Sequence, residues 1–402
     1  MLAEASEFEH NLLCCYLYAA FSLKRGPESG LAPATLSIVD RWRKSIMAVA
    51  MEEMGHLALV ANLTVAIGGR AHFNRPNLPV SPGYHPADIV VELAPFTLET
   101  LDHFIFLERP AGVPVRDGES FTSETQYDRG ERAGSALMPT AYDYETIAEF
   151  YDTIRAAFSS LSETLGDERL FIGGAALQVG PEVVSLDGLT AVTDLDSAVA
   201  AMDIIVVQGE GSSNESDDSH FARFCRIREE YEALLKADPA FAPALPAARN
   251  PVMRAPVEPN GRTHIDEGDA AAVLDVANAL YNHMLRLLTQ AYGRAEPTLA
   301  AKKTLVGAAM ESMGVLAALS THLATLPASS SAPGVNAGIT FAVLRATEPL
   351  VENEAEWPMI SQRFEELAAG MKAVCGAIEH LQPGIARLER QARVFSNVQE
   401  QN

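Results

Sequence analysis

Residues 51–58 read Met-Glu-Glu-Met-Gly-His-Leu-Ala and place Glu53 three residues before His56. In an α-helix, side chains three apart share a face. This carboxylate and this imidazole can therefore reach one metal ion. Ile46, Val49, Ala50, Leu57, Val60 and Leu63 surround the pair. They mark the helix as buried, and charged groups are rarely left in a core without a partner. Glu-x-x-His alone is short and also occurs on solvated faces, so the chemistry depends on its company. A four-helix bundle with a two-metal carboxylate site needs one Glu from each of two helices and a Glu-x-x-His from each of the other two.

Periodicity supplies elements to carry such a set. Residues 3–24 have Phe8, Leu12, Leu13, Tyr16, Leu17, Ala20 and Phe21 at helical spacing, and Gly26-Pro27 ends them. A second helix is expected from about Thr35 to Ile67, stopped by Gly68-Gly69, a third from Asp143 or Tyr144 to Leu165, and a fourth from Asp194 to Gln208. A further helix resumes at Asp217 or Ser219. If neighbours run antiparallel, Glu9, Glu53, Glu149 and Glu210 lie between roughly 22 and 27 Å along their helices from matching ends. They then share one level. Phe8, Leu12 and Tyr16 set the core face near Glu9, although His10 beside it could point inward instead. Ile147, Ala148, Phe150 and Tyr151 favour Glu149 over its acidic neighbours. The fourth helix departs from the ideal. Glu210 and His220 are ten residues apart, about 15 Å on an unbroken helix, with a Gly/Ser segment between. Asp217-x-x-His220 is a rival pair.

Composition frames the rest. The chain has 402 residues, 48% of them hydrophobic, with a formal net charge of −23. Ala, Leu, Met and Glu run in long stretches, which favours an all-α protein. So acidic a chain has no basic patch to neutralise phosphates, which argues against nucleic acid and anionic membranes as partners. Met1 is followed by acidic helix rather than a leader-like segment, and no stretch is expected to span a bilayer. Cys14, Cys15, Cys225 and Cys375 form no Cys-x-x-Cys. The expectation is a reduced, cytoplasmic protein. Three regions follow: residues 1–237 as the metal-binding bundle, with a Pro- and Gly-rich insertion at 70–140 that carries a helix near 98–107; residues 238–263 as a linker; and residues 264–402 as a C-terminal helical region.

The strings Glu9-His10, Ala50-Met51-Glu52-Glu53-Met54-Gly55-His56-Leu57-Ala58, Thr146-Ile147-Ala148-Glu149-Phe150-Tyr151, Gln208-Gly209-Glu210-Gly211 and Ser219-His220-Phe221 resemble the ferritin-like domain of the iminophenyl-pyruvate dimer synthases. Those enzymes act in violacein- and rebeccamycin-type bisindole biosynthesis. The resemblance extends through Asn250-Pro251-Val252 into the helices beyond, and this chain looks like the ferritin-like part standing alone. It implies two iron ions bound by Glu9, Glu53, His56, Glu149, Glu210 and His220, with O₂ as co-substrate. Manganese or zinc would also suit such ligands. The resemblance favours Glu210 over Asp217. It implies an O₂-dependent oxidoreductase acting on a small organic, amino-acid-derived substrate in secondary metabolism, with a homodimer as one arrangement. A non-enzymatic iron-binding protein is the alternative. Asp203 is the expected outer acceptor for a ligating histidine, and Tyr16 is expected near the metals.

Residues 309–317 read Ala-Met-Glu-Ser-Met-Gly-Val-Leu-Ala and repeat 50–58, except that Ser312 stands for Glu53 and Val315 for His56. This suggests a degenerate second bundle that has lost its ligands.

Overall fold

The computed structural model describes residues 1–81, 84–85, 89–121, 144–211, 218–294 and 298–401. Helices dominate, as composition requires, and the described chain divides into two units. The first comprises Met1–Gly69, Pro79–Ala175 and Leu186–Ala244; the second comprises Arg70–Leu78, Ala176–Ser185 and Leu245–Asn402.

In the first unit, α1 (Leu2–Ser22) and α2 (Pro33–Ala66) pack along their length. Pro33 opens α2, where a missing N–H costs nothing. Gly68 closes it at φ 82°, donating its N–H to the Val65 carbonyl. The short α3 (Leu98–Leu107) is capped by Thr97, whose hydroxyl accepts from the Thr100 amide. It packs on α7 (His220–Ala237), which is capped in the same way by Ser219. The Tyr16 ring of α1 stands 4.7 Å from that of Phe104 on α3 and 5.1 Å from that of Phe224 on α7. Those two rings are 5.3 Å apart. This aromatic cluster joins three helices, and such pairs add about 0.5–1.5 kcal/mol each beyond their burial. Helix α4 (Ile147–Leu165) is followed by one turn, α5 (Asp167–Leu170), and then by α6 (Leu195–Gly209), which packs on both α2 and α4.

The expected boundaries hold to within a few residues. The helix near 98–107, expected within the insertion at 70–140, packs on α7. The expected start of the third helix at Asp143, the end of the insertion (122–140) and the rival ligand Asp217 lie outside the described residues.

The second unit pairs α8 (Gly268–Gly293) with α9 (Leu299–Leu323) and α10 (Glu356–Cys375) with α11 (Gln382–Gln401). The stretch expected to be a linker is structured. It falls partly in each unit, and β1 (Pro251–Val252) pairs in parallel with β2 (Thr263–His264). Ser312 and Val315 are both buried. Val315 faces Met371 and Gly384, since a Cβ built on Gly384 would meet both side chains. The repeated string therefore points into an apolar core where its counterpart carries ligands.

By length and composition alone, α2 and α9 are apolar enough to cross a bilayer, each with a hydropathy of 1.3. No such stretch was expected. The physical reason is close packing: long runs of Ala, Val, Leu and Met that bury against neighbouring helices have the composition of a span. In these helices 67% and 50% of the apolar window is buried within the fold.

Candidate metal centre

Five side chains from four helices of the first unit meet in its core. Glu9 comes from mid-α1, Glu53 and His56 from α2, Glu108 from the residue that ends α3, and His220 from the first turn of α7. All five are at most 2% exposed. Their potential ligand atoms form two triads, Glu9–Glu53–His56 and Glu53–Glu108–His220, each with atoms within 4.8 Å of one another. Glu53 is common to both. Its Oε2 lies 3.2 Å from His56 Nδ1 and its Oε1 lies 2.9 Å from His220 Nδ1. One carboxylate thus presents one oxygen to each imidazole. The outer carboxylates complete the pattern, with Glu9 Oε2 3.5 Å from His56 Nδ1 and Glu108 Oε1 3.5 Å from His220 Nδ1.

The far side of each ring fixes its tautomer. His56 Nε2 lies 2.9 Å from Gln208 Oε1, an oxygen that can only accept, so Nε2 carries the proton. His220 Nε2 lies 2.9 Å from Glu52 Oε2 and is protonated for the same reason. A neutral ring then aims its bare Nδ1 lone pair at carboxylate oxygens, an unfavourable arrangement unless a cation lies between. His220 Nδ1 is 2.9 Å from Glu53 Oε1, yet it is not aligned for a hydrogen bond and has no hydrogen-bond partner among the described residues. This orphaned buried nitrogen and the hard-oxygen-plus-imidazole donor set both fit a metal ion.

Without a cation, the cluster must hold protons instead. Burial pushes the Glu9 carboxyl up to about 7 against the pull of His56. Burial works the same way on Glu53, but His56 and His220 overcome it and hold that carboxyl well below its usual range. Burial opposes charge on His56, and Glu53 overrides it to raise the imidazole to about 10. His220 is likewise raised, against burial, by Glu108 and its neighbours. Burial and the adjacent carboxylates keep Tyr16 and Tyr151 protonated. Tyr16 donates to Glu108 and Tyr151 to Glu9.

A cavity of about 10 Å³, enough for roughly one water-sized sphere, is lined by Glu9, Glu53, His56, Glu108, Gly209 and Glu210, among others. Gly209 is closely packed there, since a Cβ would stand 3.0 Å from Glu108 Oε2. Glu210 lies in the wall but in neither triad. Its carboxylate accepts from the backbone amides of Ala148 at 2.7 Å and Ala111 at 3.2 Å. Burial raises it to about 7, and those two amides hold it back.

Of the six ligands expected from the sequence, Glu9, Glu53, His56 and His220 come together, Glu210 borders them, and Glu149 stands apart. Glu149 is in the first turn of α4, where its backbone amide donates to the Thr146 hydroxyl and its carboxylate accepts from the Glu145 amide at 2.8 Å. The carboxylate thus satisfies a backbone amide just ahead of a helix that begins at Ile147, where a negative charge is also favourable. Asp203 is also displaced. It is exposed and pairs with Arg155, while Gln208 and Glu52 accept from the two imidazoles. Glu108 was missed, yet Leu101, Phe104 and Glu108 form one buried stripe at i, i+3 and i+7, and Glu108 is 1% exposed. A carboxylate continuing an apolar stripe was the available signal. Replacing Glu149 with Ala should leave metal stoichiometry unchanged and lower stability by about 0.5–1 kcal/mol through the lost cap. Metal analysis and thermal melts check both, and loss of bound metal in this variant would restore Glu149 to the ligand set.

A family model described as ferritin-like matches residues 2–229. The 2-imino-3-(indol-3-yl)propanoate dimerase of Chromobacterium violaceum is 26% identical, over 96% of this chain and 36% of its own. The dichlorochromopyrrolate synthase of Lentzea aerocolonigenes is 28% identical, over 88% of this chain and 36% of its own. The chain thus spans 36% of the length of each of these curated relatives. A solved ferritin-like protein from Caulobacter vibrioides is 22% identical, covers 79% of this chain and 92% of its own, and has a TM-score of 0.45.

Proposed function

The chain belongs to the ferritin-like family, and from that premise we propose that its buried cluster holds two iron ions and uses O₂ to oxidise a small, amino-acid-derived organic substrate. The observation that carries this reading is Glu53, whose two oxygens face two separate imidazole nitrogens. Glu9 and His56 would complete one position, and Glu108 and His220 the other. The carboxylates of Glu9, Glu53, Glu108 and Glu210 balance the charge of two divalent ions, which makes burial tolerable. When bound, two ferrous ions supply electrons that dioxygen needs and that these side chains do not provide.

The protein's own groups do the rest. Glu52 and Gln208 hold both imidazoles with Nδ1 turned inward. Tyr16 and Tyr151 each donate to one outer carboxylate and restrict its rotation. Glu210, raised to about 7 at the cavity wall, is placed to take up or release a proton near neutrality. Leu12, Ile147, Ile205 and Val206 make the remaining wall apolar.

The substrate class rests on the two relatives, one of which is named for an indolyl 2-imino acid. Because the chain spans 36% of their length, their complete reactions are not carried over. The test is O₂ consumption by anaerobically iron-loaded protein on mixing with aromatic 2-imino acids freshly formed from amino acids. Substrate-dependent uptake at two irons per chain is expected. Uptake that depends only on added iron, with far more than two ions stored per chain, would instead make the protein an iron store.

A further inference from the structure

The two halves of the cluster are nearly symmetric in their inner groups but differ in what stands behind the imidazoles. Behind His56 is a neutral amide: Gln208 Oε1 accepts from Nε2, and Gln208 Nε2 donates onward to Asp187 Oδ2 at 3.3 Å. Behind His220 is a carboxylate. Glu52 Oε2 accepts from Nε2, while Glu52 Oε1 is held by Arg223 Nη1 at 2.9 Å. Arg223 is held in turn by Asp218 Oδ2 at 3.1 Å. A carboxylate acceptor draws the Nε2 proton more strongly than an amide and makes Nδ1 a better electron donor to a cation. The inner geometry leans the same way, with Glu53 2.9 Å from His220 Nδ1 but 3.2 Å from His56 Nδ1.

We propose that the two metal positions are unequal: the Glu53–Glu108–His220 position fills first and more tightly, and Glu52 is the positioning residue that makes it so. This inference rests on the dinuclear reading above and adds to it an order of loading. It also assigns a role to the first acid of Glu52-Glu53, which belongs to neither triad but holds the far nitrogen of His220.

The test is anaerobic titration of metal-free protein with Co²⁺, following visible absorption and calorimetric stoichiometry. The intact chain should bind two ions in resolved steps. Glu52→Gln keeps an oxygen acceptor but removes its charge. It should weaken the tight step by about 10–100-fold, the usual effect of losing an outer partner, leave the weaker step in place, and so merge the two. The reciprocal Gln208→Glu should strengthen the weaker step, an outcome that a merely structural role for these residues would not produce. Two indistinguishable steps in the intact chain, or unchanged steps in both variants, would overturn the asymmetry while leaving the dinuclear reading intact. One ion or none in the intact chain would overturn both.

Discussion

Glu53→Gln should abolish binding at both positions together, because a single carboxylate serves the two triads. O₂-dependent turnover should then fall by more than the roughly 10–100-fold typical of losing an outer partner, and metal content should approach zero rather than one ion. The same change should weaken the metal-free protein. Glu53 is the main source of the raised His56 proton affinity and also binds His220. Removing one partner of a buried charge network typically costs about 3–5 kcal/mol, or very roughly 10 °C in melting temperature for a unit of this size. The sensitivity should be specific to position. Glu9→Gln and Glu108→Gln each touch one triad and should leave one ion bound. Metal analysis of the three variants, with circular dichroism to verify folding, checks the pattern. Retention of one ion by Glu53→Gln would show that the carboxylate does not bridge.

Metal loading should be steeply pH-dependent and should release protons. In the metal-free chain His56 keeps its second proton up to about pH 10, His220 is raised likewise, and Glu9 titrates near 7. Each must give up a proton before it can ligate. At neutral pH, filling both positions should release at least about two protons, and overall affinity should rise on the order of 100-fold per pH unit. Calorimetry in buffers of different ionisation enthalpy counts those protons directly.

The metal-free protein should show the opposite trend in stability. His56 is raised above its ordinary 6.5. Its contribution is therefore complete below pH 6.5 and is lost as pH climbs toward 10. Glu9 acts in the same sense. Between its ordinary 4.5 and about 7 the folded chain holds a proton that the unfolded chain releases, so stability falls as pH rises across that window. Glu53, held low, contributes above its ordinary 4.5 and loses that contribution as the solution is acidified. Metal-free protein should accordingly melt lower at pH 9 than at pH 6.5, and metal-loaded protein should not. A metal-free melting temperature that rose across this interval would show that the imidazoles are not charged in the absence of metal.

Much of this was legible in the sequence, for identifiable reasons. Long apolar helices stopped by glycine were read to within a few residues, because Gly68 at φ 82° does what its lack of a Cβ permits. Glu53 and His56 could be paired from the sequence because three-residue spacing needs no tertiary knowledge, and the structure brings their side chains together. Glu149 was misplaced because axial arithmetic assumes which four helices form the bundle. Once α3 and α7 pack together, the carboxylate at that level is Glu108, and Glu149 is left to cap its own helix. Asp203 failed for a related reason: sharing a helix face with Glu210 says nothing about which neighbour that face meets. Glu52 and Gln208 were invisible as outer partners, since their roles arise only when α2, α6 and α7 bring them against the imidazoles.

The proposal that Glu53 serves both metal positions is tested most directly by anomalous diffraction at the iron edge from crystals of anaerobically iron-loaded protein. Two peaks are expected in the first unit, one among Glu9, Glu53 and His56 and the other among Glu53, Glu108 and His220. A single peak, or iron bound away from Glu53, would contradict the dinuclear centre.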